Sequence, residues 1–157
     1  MKIAIMADSH DNVPMIAAAL EVFRQRKAEC LLHAGDIVAP FSAKELLKWD
    51  RPLHAIFGNN DGERAGLARL VPGICDGPRV LALADKRVLL VHSRENAPVD
   101  LVALADAVVF GHTHEALVEQ GQPLFINPGE TGGWLTGCST AALWDTATSE
   151  VEIVELP

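Results

Sequence analysis

Five apolar runs of strand length recur along this 157-residue chain, and each finishes in an aspartate, an asparagine or a histidine. KIAIMA (2–7) leads into DSHDN, which supplies Asp8 and His10. CLLHAG (30–35) leads into Asp36, and LHAIFG (53–58) into Asn59, Asn60 and Asp61. VLLV (88–91) ends at His92, and AVVFG (107–111) at His112 and His114. Few ways of folding bring such a pattern about by accident.

The first three runs alternate with helical signals. Asn12 is placed to cap a helix with Pro14 in its first turn, and Ile16, Ala19, Leu20 and Phe23 form one apolar face. A second helix is expected from about Phe41 to Trp49. The β-α-β-α-β order implies parallel strands with right-handed crossovers. The second half is richer in strands. RVLALADKRVLLVHS predicts a hairpin turning near Ala84-Asp85-Lys86, and LFINPG, STAALWD and EVEIVEL predict further strands. No linker, repeat or low-complexity segment divides the chain, so residues 1–157 are expected to form a single domain.

Ligands of open α/β sheets bind beyond the carboxyl ends of the strands. Strand ends lying side by side would therefore bring these polar residues to one crevice. Each has an ordinary reading alone: Asp8 or Asp36 as a turn or helix cap, Asn59-Asn60-Asp61-Gly62 as a turn, His10 as a solvated loop residue, His92 as a histidine satisfied at a strand end. Five repetitions outweigh those separate readings. His33 and His54 lie within strand runs and are expected in the core or behind the site. In GHTH, an extended loop would point His112 and His114 to one face.

The donor types select an ion. Carboxylate, imidazole and amide oxygen without thiolate suit Mn, Fe, Zn, Ni or Co, whereas calcium and magnesium favour all-oxygen sets. Seven candidate ligands (Asp8, His10, Asp36, Asn59, His92, His112 and His114) exceed the needs of one ion with open positions. Two divalent ions sharing a bridging carboxylate follow.

Composition narrows the partners. A net charge of −8, no Tyr, five Phe and three Trp disfavour a duplex or polymeric nucleic-acid substrate. An anionic substrate is still allowed, because bound cations reverse the local sign. Apolar runs stay short of the roughly 20 residues that a spanning helix needs, and Asp8 interrupts the N-terminal one, so neither membrane insertion nor secretion is expected. Three cysteines without a CxxC pair (Cys30, Cys75 and Cys138) fit a reducing cytoplasm.

Taken in order, DxH (Asp8, His10), GD (Gly35, Asp36), GN (Gly58, Asn59), a lone His (His92) and GHTH (Gly111 to His114) resemble the calcineurin-like metallophosphoesterases. The short length and the closing NPG (Asn127 to Gly129) resemble the small bacterial and archaeal phosphodiesterase branch. The resemblance runs from Lys2 to at least Gly129. It implies a four-layer α-β-β-α sandwich, two mixed β-sheets facing one another and flanked by helices, with a two-metal site at the strand ends. By motif, Asp8, His10 and His114 would hold one ion and Asn59, His92 and His112 the other, with Asp36 between them. Mn is expected first, with Fe, Zn, Ni or Co as alternatives. The implied activity is hydrolysis of a small phosphate ester, a diester before a monoester, by a hydroxide bridging the ions.

Four positions depart from the family pattern. A histidine common after the GN asparagine is replaced by Asn60, which can hydrogen-bond a phosphate oxygen but cannot donate a proton at neutral pH. Asp61 then stands as a candidate acid, against a structural role in the turn. Ser93 and Arg94 replace a glycine and an often-present histidine, making Arg94 a candidate phosphate clamp against its reading as an exposed arginine. Glu130 replaces a small hydroxylic residue after NPG, with its role open. Specificity is expected from the stretches ERAGLARLVPG and ETGGWLTG. Two competing readings are a non-catalytic protein-interaction scaffold, as in a eukaryotic trafficking subunit of this branch, and a nuclease. Intact ligands disfavour the scaffold, and the acidic balance disfavours the nuclease. Exposed strand edges in the second half suit a homodimer.

Overall fold

The computed structural model describes residues 1–157. Strand β1 (Lys2–Met6) alternates strictly: Ala4 and Met6 face one core, while Ile3, Ile5 and Ala7 beyond its end face another. A strand buried on both faces needs cover on both sides, and the rest of the chain provides it.

On one side lie α1 (Val13–Gln25), α2 (Pro40–Leu46) and α3 (Arg64–Leu70), the crossovers linking β1, β2 (Cys30–His33), β3 (Leu53–Phe57) and the short β4 (Cys75–Asp76). These four strands run parallel. Strand β10 (Thr140–Asp145) pairs antiparallel with β1 from Lys2↔Asp145 to Ile5↔Ala142, and β11 (Glu150–Glu155) borders β10, completing a six-stranded sheet in the order β11-β10-β1-β2-β3-β4.

On the other side lies a five-stranded sheet, β5-β6-β7-β9-β8. Its members are β5 (Arg79–Leu83), β6 (Lys86–Leu90), β7 (Ala107–Val109), β8 (Ala116–Glu119) and β9 (Leu124–Pro128). Val88, Leu90, Ala107, Val109 and Ile126 pack inward against Ile3, Ile5, Leu32 and Trp144. Leu89, Val108 and Phe110 face outward, covered in part by Leu101 and Val102 of α4 (Val99–Leu104). The result is the expected four-layer α-β-β-α sandwich of two mixed sheets.

Details differ from the sequence expectation. Helix α2 stops at Leu46, and Lys48 and Trp49 close onto Glu45 and Leu46 by i−3 bonds as the chain tightens before Pro52. The helices α3 and α4, with seven and six residues, were not anticipated, nor were β4 and β8. The β5–β6 hairpin turns where predicted, with Ala84 and Asp85 at φ 47° and 65°. Asn12 caps α1 through Met15 N–H, and Ile16, Ala19, Leu20 and Phe23 are the buried face. Since β1, β2 and β3 are mutually parallel, as are β6 and β7, the carboxyl ends of both sheets can meet at one edge.

Candidate metal centre

Past the ends of β1, β2, β3, β6 and β7 the backbone turns abruptly. Asp8, His10, Asp36, His112 and His114 all lie in the left-handed region, with φ of 51°, 40°, 61°, 70° and 62°. Non-glycine residues are uncommon there, and each strained residue costs of order 1–3 kcal/mol. Their concentration on candidate ligands marks this edge as built for a task. It also corrects the extended reading of GHTH: alternate left-handed residues, rather than an extended strand, aim His112 and His114. DxH uses the same device at Asp8 and His10.

Hydrogen bonds hold these turns in place. Asp8 N–H donates to the Gly35 carbonyl at 3.0 Å, and Gly111 N–H to the His92 carbonyl at 2.9 Å. Fully buried Asn127, from NPG, donates to Gly111 O (3.1 Å) and Thr113 Oγ1 (3.0 Å). Gly111 permits close approach, since a Cβ there would stand 2.6 Å from Asp8 Oδ2. At Gly58 a Cβ would overlap the Asp36 carboxylate.

The side chains converge in two groups around Asp36. Asp8 Oδ1 lies 4.0 Å from His10 Nε2 and 3.8 Å from His114 Nε2. The imidazoles of His10 and His114 stack with centroids 5.1 Å apart. Asp36 Oδ2 lies 3.6 Å from His10 Nε2 and 3.5 Å from His92 Nε2, facing both groups. Asn59 Oδ1 is 2.8 Å from His92 Nε2 and 2.9 Å from His112 Nδ1. All seven sequence-derived ligand candidates therefore stand at this edge. His33 and His54 do not join them. His33 is fully buried behind the site, accepting Gly35 N–H at Nδ1 and thus donating from Nε2 to Ser9 Oγ. His54 lies beside Arg79.

Do these residues suit a cation? Asp8 Oδ1 and His10 Nε2 are buried without any hydrogen-bond partner, an expensive state for both. His92 Nδ1 must donate to the Ala34 carbonyl at 2.8 Å, which leaves the Nε2 lone pair of the neutral ring facing the Asn59 oxygen. Burial, aided by nearby Asp36, Glu130 and Asp61, pushes the Asp8 carboxyl up to about 8, against the His112 N–H that favours its charge. Burial also lowers the His92 pKa. Lone pairs and carboxylates gathered without a matching positive charge fit a cation, and donor atoms 3.5–4.0 Å apart are close to the roughly 3–3.5 Å separating two ligands of one ion. Asp8, His10 and His114 form one candidate set, and Asp8, Asp36 and His92 another.

The remaining candidates fare differently. Asn60 donates to both Asp36 oxygens, at 2.8 Å from N and 2.7 Å from Nδ2. Asp61 is not available as an acid: its buried carboxylate accepts N–H groups of Asp36 (3.0 Å), Val38 (2.7 Å) and Gly58 (2.7 Å). It pins the GD and GN turns together. Arg94 is engaged away from the cluster. Its guanidinium is gripped by Glu119 on β8 at 2.8 and 3.2 Å and rests 3.8 Å above the Phe125 ring.

Glu130 acquires a definite place. It is buried, and its carboxylate accepts N–H from Trp134, Leu135 and Thr136 while Oε1 lies 3.1 Å from His114 Nδ1. Burial opposes its charge, but the Thr136 and Leu135 amides and the Thr136 hydroxyl prevail and hold the carboxyl below its usual range. A carboxylate behind a ligand histidine fixes the ring and its tautomer. NPGE flagged this segment in the sequence, yet only the fold brings it against His114. Beside Asn59, His92 and His112 opens a cavity of about 280 Å³, bordered also by Arg64, Asp76 and Asn96.

Known proteins share this sequence and fold. The calcineurin-like phosphoesterase superfamily domain matches residues 1–149. The phosphodiesterase MJ0936 of Methanocaldococcus jannaschii is 35% identical over 165 aligned residues, covering 99% of each chain. The phosphodiesterase YfcE of Escherichia coli is 31% identical across 82% of this chain and 78% of its own. A solved archaeal phosphodiesterase superposes with a TM-score of 0.91 at 35% identity, covering 99% of this chain and 100% of that one. The chain belongs to the calcineurin-like phosphoesterase superfamily.

Proposed function

We propose that this protein is a metal-dependent phosphodiesterase with a two-metal centre, Mn²⁺ being the first candidate and Fe, Zn, Ni or Co the alternatives. The observation that carries this reading is the position of Asp36 Oδ2, 3.6 Å from His10 and 3.5 Å from His92, facing both ligand groups. Asp8, His10 and His114 would hold one ion and Asn59, His92 and His112 the other, with Asp36 bridging. When bound, divalent ions supply Lewis acidity toward phosphoryl oxygens and lower the pKa of water at the site.

The chain's own residues do the positioning. Ala34 O turns His92 Nε2 into the centre, and the Glu130 carboxylate stands 3.1 Å behind the His114 ring on its Nδ1 side. Asn60 steadies the Asp36 carboxylate and has no proton to give a leaving group at neutral pH. With Asp61 occupied by three backbone amides, neither Asn60 nor Asp61 supplies a proton to the leaving group, so esters with good leaving groups are favoured. Arg94 is paired elsewhere, which leaves phosphate charge to the metal centre and Asn60. No helix is long and apolar enough to cross a membrane. The same proposal includes residence in a reducing cytoplasm, consistent with three free cysteines, and a homodimer through exposed strand edges. Light scattering of the purified protein reads the latter.

The direct test is hydrolysis of bis-p-nitrophenyl phosphate by metal-stripped protein with and without added Mn²⁺. Turnover should need metal, and Asp36→Ala and His114→Ala should abolish it. Inertness with every divalent ion and with both diesters and monoesters would sink the proposal.

A further inference from the structure

The rim of the metal centre carries a large aromatic side chain that is exposed and yet fixed. Trp134 is 65% exposed and Leu135 79% exposed. Segments bearing such side chains are ordinarily among the least ordered of a fold. This one is bonded along its length. Its backbone N–H donates to Glu130, as do those of Leu135 and Thr136. Just before it, Gly132 N–H donates to the Asp8 carbonyl at 3.0 Å, and the Gly132 carbonyl accepts Asn12 Nδ2 at 2.7 Å. The indole N–H itself donates to the carbonyl of His10 at 2.9 Å. No aromatic ring or cation of the protein stacks on this indole. A largely exposed aromatic plate is thus anchored to the backbone of His10, a candidate ligand of the centre.

We propose that Trp134 is a specificity-determining residue, the plate on which a planar aromatic substituent of nucleoside size stacks while its phosphodiester sits on the Asp/His cluster. The inference rests on the phosphodiesterase reading above. An aromatic plate ordered before binding loses little entropy on contact, and its face accepts any planar ring without hydrogen-bond readout. Bonds to the His10 carbonyl and to Glu130, which stands behind His114, place the plate beside the Asp8, His10 and His114 group rather than on a remote docking surface. The acidic surface keeps the substrate small, since a long polyanion would need basic residues along its path.

Two substrates with one leaving group isolate the effect: thymidine 5′-p-nitrophenyl phosphate and methyl p-nitrophenyl phosphate. Wild-type protein with Mn²⁺ should prefer the thymidine ester in kcat/KM, and Trp134→Ala should reduce that preference roughly 5- to 100-fold. Trp134→Phe, which keeps a ring but loses the bond to His10, should retain most of it. Calorimetric binding of thymidine 5′-monophosphate against inorganic phosphate gives a readout independent of turnover. Wild type should favour the nucleotide, and Trp134→Ala should bind both alike. Equal preference in wild type and Trp134→Ala overturns the plate, as does a loss as large in Trp134→Phe as in Trp134→Ala, which would assign the effect to His10 geometry. Wild-type turnover of the methyl ester with no thymidine preference sinks this inference alone. Absence of turnover on both esters with every metal sinks the phosphodiesterase reading and this inference with it.

Discussion

Glu130 Oε1 stands 3.1 Å from Nδ1 of His114, behind the ring nitrogen that faces Asp8. His114 Nδ1 makes no hydrogen bond with ideal geometry, but a buried carboxylate this close favours the tautomer protonated at Nδ1 and so strengthens the ring as a ligand through Nε2. Partners of this kind usually govern metal affinity by about 10- to 100-fold. Glu130→Gln should therefore weaken Mn²⁺ binding by that factor in a calorimetric titration. Thr136→Ala removes only a hydroxyl donor to the same carboxylate. It should keep near wild-type affinity, so comparable losses in both variants would reduce Glu130 to a loop anchor.

His112 and His114 sit two residues apart and serve different groups. His114 stacks on His10, whereas His112 meets His92 edge-on, each pair with centroids 5.1 Å apart. His112→Ala and His114→Ala should accordingly lose different ions. Metal analysis combined with the paramagnetic spectrum of Mn²⁺-loaded protein reads this out. Loss of the same ion from both variants would contradict the division.

Asp61 separates a scaffold from an acid. Three backbone donors, two on Oδ2 and one on Oδ1, hold its carboxylate in place. An asparagine there would turn its NH₂ toward at least one N–H, and each buried donor left unsatisfied costs about 1–3 kcal/mol. Asp61→Asn should lower the thermal midpoint by several degrees, while the folded fraction keeps the alkaline limb of its pH–rate profile. Loss of that limb with unchanged stability would restore the acid role.

The convergence of the candidate ligands was readable from sequence because strand burial is periodic and short: five apolar runs announced their own ends, and parallel pairing gathered those ends. The backbone at the ligands was not readable, because nothing in the letters DSH or GHTH requires a left-handed turn until Gly35, Gly111 and Asn127 are in place around them. Arg94 looked available for the same reason. Its partner Glu119 belongs to β8, a four-residue exposed strand with no buried residue to give it a signature. The helices α3 and α4 bury Leu67 and no residue at all, respectively, too little for an apolar period to register.

His33 ties pH to folding. Complete burial lowers its pKa from 6.5 to about 3, so the folded protein keeps it neutral where an unfolded chain would protonate it. Across that window the unfolded state binds the extra proton, and stability rises with pH at up to about 1.4 kcal/mol per unit from this group. The contribution is fully present above pH 6.5 and is lost as acid brings the solution toward pH 3. His33→Gln keeps a donor for Ser9 Oγ but carries no titrating group. Urea unfolding of metal-stripped protein across this range should therefore show a shallower pH dependence in His33→Gln than in wild type, by about one proton. Parallel curves would mean that His33 is reached by water and charged in the folded state.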